Sequence, residues 1–213
     1  MIDRSDNLRR GPARRTPRPE IIVVCEGKVT EPQYFSDLRA VFRNTLVKIT
    51  AIGGCGVPVS VVERAIFERK LRIQLARKTG DSFDSQFEVW AVFDRDEHPK
   101  RQVPDALDLA KSNGVSVAYS NPCFELWGLM HFSCYARPGH HHEVQAALKR
   151  QLPGYCHEHN PVVKVSDLRD RYETAVKNAR QSLVDRQSEG TPLGDPSTNV
   201  FELTEKIKEF GQK

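Results

Sequence analysis

Five carboxylates stand in two short groups, each directly behind an apolar run. Glu26 follows IIVVC, and Glu31 comes five residues later; Asp94, Asp96 and Glu97 follow FEVWAVF. Carboxylates drawn together from two such groups cannot all stay ionised unless they share a proton or a cation. An all-oxygen donor set without a helping cysteine or imidazole favours Mg²⁺ or Mn²⁺. Two such ions can activate a water and stabilise the leaving oxygen of a phosphodiester. Each acid also has a plainer use, with Glu31 at the favourable end of a helix dipole and Asp94 capping a turn. His98, directly behind the second group, is either a residue that orients a phosphate or water or a loop residue before Pro99.

The elements that would carry these acids follow from hydrophobic pattern. EIIVVC (20–25) and FEVWAVF (87–93) are continuous apolar runs without alternation, the pattern of strands covered on both faces. LVKITAI (46–52) and the stretch 114–119 read as two further strands. Residues 31–43 carry Tyr34, Phe35, Leu38, Val41 and Phe42 at helical spacing, with Thr30 as the N-cap and Pro32 just inside the start. Helices are also expected over 58–78, 104–112, 143–151, 166–188 and 200–210, the last after a cap-like Ser197-Thr198. Alternating strands and helices predict an α/β fold with a mainly parallel sheet flanked by helices and a helical C-terminal extension. In open sheets of this kind ligands gather at the carboxyl ends of the strands, where both acidic groups stand.

NPCFELWGLMHF (121–132) reads as a mostly apolar helix opened by Pro122, with Glu125 in its first turn. If the strand before it lies beside the strand ending at Asp94, Glu125 joins the acidic site; otherwise it caps its own helix. Phe124, Trp127 and Met130 read as core, and His131 as a satisfied buried histidine. Cys134, Cys156, His157 and His159 with His140-His141-His142 do not match zinc-ligand spacing, and three consecutive histidines are not expected to face one ion. A solvated histidine loop at 139–142 is the reading adopted. Cys25, inside a strand, reads as packing.

The formal net charge of +4 is not evenly spread. Residues 1–19 hold six arginines, among them Arg9, Arg10, Arg14 and Arg15, against Asp3 and Asp6, so the arm accounts for all of it. Its Arg, Pro and Gly content is too high for independent folding. It serves either as a tether to nucleic-acid phosphate or as a solubilising tail or partner strap. Residues 20–213 then form one domain. The six cations of the 58–78 helix are spread around it, as on a solvated face with intrahelical pairs, although a track for a nucleic-acid backbone is the alternative. No run reaches the roughly 18 apolar residues of a membrane span, and no apolar segment follows the basic N-terminus as in a secretory signal. A cytoplasmic protein is expected. Five scattered cysteines argue against a disulfide framework.

Four ordered motifs, IIVVCEGKVTEPQYF, VFDRDEHP, SNPCFELWGLMHF and DPSTNVFELTE, resemble those of the RloB-like family, whose members are encoded beside bacterial restriction and abortive-infection loci. That family is in turn similar to Toprim domains, the metal-binding fold of topoisomerases, primases and OLD-type nucleases. The resemblance implies a Toprim-like sheet in which Glu26 matches the glutamate after the first strand, and Asp94 and Asp96 match the D-x-D of a later one. Glu31 resembles a second metal-binding acid, at an interval one residue longer than E-G-x-x-D/E, and Glu125 completes the shell. A lysine near the metals is also implied. Lys28, Lys164 and Lys177 all qualify, while LPGYCHEHNP departs from the lysine-containing form of the family. The implied activity is a Mg²⁺- or Mn²⁺-dependent nuclease acting on tRNA or DNA in phage defence. Because the chain lacks G-x-x-x-x-G-K-[ST], the implied ATP-driven control falls to a separate ABC/AAA-type ATPase. The alternative is a non-catalytic Toprim-like module that docks on an ATPase or a nucleic acid.

Overall fold

The computed structural model describes residues 19–44, 47–80, 85–95, 98–99 and 101–210. In chain order the elements are β1 (Glu20–Cys25), α1 (Thr30–Val41), β2 (Lys48–Ile52), α2 (Pro58–Thr79), β3 (Phe87–Asp94), α3 (Gln102–Ser112), β4 (Ser116–Asn121) and α4 (Glu125–Met130). There follow α5 (His141–Gln151), α6 (Val165–Leu168), a 3-10 turn (Arg169–Arg171), α7 (Tyr172–Ser188), β5 (Ser197–Thr198) and α8 (Val200–Glu209). The sheet order is β2-β1-β3-β4-β5. Its first four strands are parallel, and β5 runs antiparallel to β4.

The unbroken apolar runs are explained by the two faces of this sheet. Successive side chains of a strand point to opposite sides. Ile21, Val23 and Cys25 therefore enter one core with Tyr34 and Phe35 of α1 and Trp127 of α4. Ile22 and Val24 enter the other, with Val61 and Ala65 of α2 and Ala106 of α3. β3 divides in the same way, Trp90 and Val92 to the first core, Val89, Ala91 and Phe93 to the second. The result is an α/β/α sandwich with β1 and β3 adjacent at its centre, consistent with a Toprim-like fold. None of the described helices is long and apolar enough to cross a membrane.

Several local expectations are corrected. α1 begins at Thr30 with Val29 at the N-cap position and no side-chain cap; Glu31 reaches back from the first turn and accepts the Gly27 N–H instead. The apolar helix after β4 is only six residues long. Pro122 lies before it, behind a cis peptide bond, rather than at its first position. The helix expected over 166–188 is interrupted by the 3-10 turn at Arg169–Arg171, within a segment that holds no glycine or proline to announce a break. Ser197 and Thr198 form an edge strand, and the Thr198 hydroxyl also accepts the Val200 N–H at the start of α8, at 3.3 Å, as a cap does. Thr198 Oγ1 lies 3.0 Å from Ser120 Oγ. The Asn199 side chain accepts the Tyr119 N–H at 2.6 Å and donates to the Val117 carbonyl at 3.0 Å, fastening the start of α8 to β4.

Candidate metal centre

β1 and β3 are in register, with Cys25 opposite Val92. The first residue past β1 and the last of β3 therefore emerge side by side, and the Glu26 carboxylate accepts the Asp94 N–H at 3.3 Å. On the other side β3 pairs with β4, Asp94 opposite Ser120. The turn that follows β4 hands the Phe124 N–H to Asp94 Oδ2 at 2.9 Å and sets Glu125 beside it. Glu31 completes the group from α1, one helical turn past Gly27. Glu26, Glu31, Asp94 and Glu125 line one cavity of about 450 Å³, and Lys28, His141 and His157 also border it.

Gly27 leaves the Glu31 carboxylate its place. A Cβ on it would collide with the Glu31 carboxylate, which occupies that position to reach the Gly27 N–H. Glu31 and Glu125 are buried, at 6% and 4% exposure. Burial, joined by the charges of Glu125 and Glu26 and opposed by the Gly27 N–H, pushes the Glu31 carboxyl up to about 7. Burial, then the charges of Glu31, Glu125 and Glu26, holds Asp94 well above the ordinary carboxylate range. Burial acts on Glu125 in the same sense, but hydrogen bonds from His157 and Tyr155 outweigh it and hold this carboxyl below its usual value. The Tyr155 hydroxyl donates to Glu125 at 2.6 Å, and His157 Nδ1 lies 3.3 Å from the same oxygen.

Without a cation, then, the surroundings favour the ionised form of Glu125 and the protonated forms of Glu31 and Asp94. A divalent ion can replace those protons. The four carboxylates, beside Cys123, His141 and His157 in the same lining, supply the hard oxygen donors that suit Mg²⁺ or Mn²⁺.

Of the residues singled out in the sequence, Glu26, Glu31, Asp94, Glu125 and Lys28 meet at this cavity. His98 Nε2 lies 2.5 Å from Glu26 Oε1, so it is tied to the site rather than idle before Pro99. Asp96, Glu97 and the arm arginines, Arg9, Arg10, Arg14 and Arg15 among them, lie outside the described residues. Of the three candidate lysines only Lys28 borders the cavity. Lys164 lines a groove with Gln33 and Asp37 instead, and Lys177 is on the exposed face of α7. His131 is buried, with Nδ1 3.0 Å from the Trp127 carbonyl, a satisfied core histidine.

Sequence reasoning missed Tyr155, and weighed His157 only as a zinc ligand, not as a partner of Glu125. They come from the segment that departs from the lysine-containing form, and only the fold brings it against Glu125. The three consecutive histidines also differ from expectation, since each presents a ligand nitrogen within 4.8 Å of the other two. A larger cavity, about 710 Å³, lies at the opposite ends of β3 and β4 beside α2. Its lining, with Arg69, Arg77 and a single acid, Glu88, is unsuited to holding a cation.

The profile of the RloB-like protein family matches residues 21–207. The chain belongs to the RloB-like family. No curated protein and no solved structure matches it. All the cavity-lining acids of this RloB-like chain, together with Tyr155 and His157, fall inside the matched span, and the arginine arm precedes it.

Proposed function

We propose that this RloB-like protein is a Mg²⁺- or Mn²⁺-dependent, Toprim-like nuclease that hydrolyses phosphodiester bonds of tRNA or DNA. In this reading it is a cytoplasmic effector of anti-phage defence, controlled by a separate ABC/AAA-type ATPase. The observation that carries the proposal is the cavity itself. Acids from two adjacent strand ends and two helix starts face one space, and two of them have carboxyls raised by burial and by each other. A fold built for stability alone gains little from two buried carboxylates, Glu31 and Glu125, set beside the half-buried Asp94 and Glu26.

Glu26, Glu31, Asp94 and Glu125, with Asp96 by resemblance, would hold the ions. Ions so held would supply an activated water and charge stabilisation for the leaving oxygen. His98 would orient Glu26, while Tyr155 and His157 would keep Glu125 ionised. Lys28, exposed at the rim, would contact substrate phosphate, and the arm arginines would add sequence-independent attraction to the backbone.

One observation favours the rival, non-catalytic docking module. Each of these four carboxylates already has a donor within the protein: the N–H groups of Gly27, Asp94 and Phe124, and the Tyr155 hydroxyl. The two readings separate in one experiment. Purified protein is incubated with total tRNA and with plasmid DNA in Mg²⁺, Mn²⁺ or EDTA, as wild type, Glu26→Gln and Asp94→Asn, with toxicity on expression scored in parallel. The nuclease requires cleavage that depends on metal and falls at least about 100-fold in both variants. Absence of cleavage, with toxicity unaffected by either substitution, establishes the docking module.

A further inference from the structure

Among the described residues, one set of three potential metal ligands has its ligand atoms all close together, and it stands at the start of α5, outside the acid group. His140, His141 and His142 each offer a ring nitrogen within 4.8 Å of the other two. The cause is a change of backbone conformation. In a continuous strand three successive side chains alternate between faces, and in a continuous helix they fan out by about 100° each. Here His140 is the N-cap, extended at φ −72° and ψ 149°, and His141 opens the helix. The chain turns at that junction, and the three rings gather at mutual tilts of 38°, 37° and 60°, with centroids 4.0, 4.8 and 4.1 Å apart.

The approach to this junction is anchored. The Gly139 N–H donates to Asp195 Oδ2 at 2.9 Å, and the Asp195 carbonyl accepts from Arg186 at 2.9 Å. His142 Nδ1 lies 3.3 Å from Gln145 Oε1. In the tautomer that donates from Nδ1 to that amide oxygen, the Nε2 lone pair is left for an ion, the arrangement in which an outer oxygen orients a ligating histidine. His140 Nδ1 accepts the His142 N–H over a long 3.4 Å.

We propose that His140, His141 and His142 form a site for a borderline transition-metal ion, Zn²⁺ in the first instance, at the rim of the acid cavity that His141 also borders. Three neutral imidazoles with a fourth position open to water are a zinc donor set and a poor one for Mg²⁺. Zn–N bonds of about 2.0–2.1 Å bring ligand nitrogens closer together than 4.8 Å, and turning of the exposed His140 and His142 rings closes the gap. The dipole of α5 opposes any cation at its N-terminus, so the imidazole bonds must outweigh it. The two neighbouring sites thus take chemically different ions, and zinc binding does not rest on the nuclease reading.

The test is calorimetric titration of ZnCl₂ into the untagged full chain in excess Mg²⁺. The variants are His141→Ala, His142→Ala and His140→Asn, the last retaining a capping acceptor. One zinc equivalent is expected, weakened at least about tenfold in each histidine variant and unchanged in Glu31→Gln and Asp94→Asn. Histidine ring ¹⁵N shifts of the wild type give a readout independent of variant folding. Zinc must move the resonances of these three residues. Zinc binding that survives the histidine substitutions, disappears with the acid ones, or leaves the three rings unmoved overturns the proposal.

Discussion

Glu31 and Glu125 share a cavity and have their acidities shifted in opposite directions, and the contrast can be measured. The Glu31 carboxyl, raised to about 7 from an ordinary 4.5 by burial and neighbouring charge, binds its proton more tightly in the folded than in the unfolded chain. Its stabilising effect is complete below pH 4.5 and is lost as pH rises through about 7. In EDTA the thermal midpoint should therefore fall between pH 5 and pH 8, and Glu31→Gln should flatten that decline. Each kcal/mol recovered is worth about 2–4 °C for a chain of this size. A wild-type profile as flat as the variant's would contradict the assignment. Tyr155→Phe removes the hydroxyl that Glu125 accepts from inside the fold. A loss of about 1–3 kcal/mol is expected on chemical denaturation, together with weaker Mg²⁺ binding by calorimetry as the Glu125 carboxyl loses a donor. Unchanged stability would mean that this hydrogen bond is dispensable.

At the scale of elements, the turn between β1 and α1 sets the geometry of the site. Gly27→Ala adds one methyl group where the Glu31 carboxylate sits, so the substitution should expel that carboxylate while leaving β1 and α1 in place. The expected outcome is Mg²⁺ affinity reduced about tenfold or more with little change in circular dichroism; full affinity in this variant would remove Glu31 from the ligand set. The same elements show what was legible in advance. β1 and β3 could be read because both faces are buried and every residue of the run is apolar. The acids could be read because they follow those runs directly. Helix ends were less legible: Thr30 was expected to cap α1 but is its first residue, the start has no side-chain cap, and Glu31 instead accepts the N–H of Gly27 in the preceding turn. The roles of Tyr155 and His157 were invisible because they depend on contact with Glu125, some thirty residues earlier, and no local periodicity encodes such a contact. The two-residue β5 is too short for any strand pattern.

For the whole molecule, charge and fold are separable. The arginines of residues 1–19 carry the entire net charge, while both cores draw on residues from Ile21 onward. Deletion of residues 1–18 should therefore leave the thermal midpoint within about 2 °C and weaken nucleic-acid binding with a shallower salt dependence, as read by fluorescence anisotropy at several salt concentrations. An unchanged salt slope would make the arm a strap or tail rather than a tether. Metal linkage works at the same scale, since an ion that binds only the folded chain raises its stability in proportion to the logarithm of its concentration. Mg²⁺ should raise the midpoint more at pH 8 than at pH 5, because at the lower pH protons already compensate Glu31 and Asp94.

The bond between Trp127 and Tyr34 has one further use. The indole N–H donates to the Tyr34 hydroxyl at 2.7 Å across the interface of α4 and α1, the helices that carry Glu125 and Glu31. Trp127 is fully buried, with the His131 ring edge-on at 4.8 Å, and the chain has only one other tryptophan, Trp90 in β3. With Trp90→Phe, the remaining indole becomes a built-in optical gauge of the gap between those two helices. Its emission would follow ion capture in real time, without a label and without a substrate.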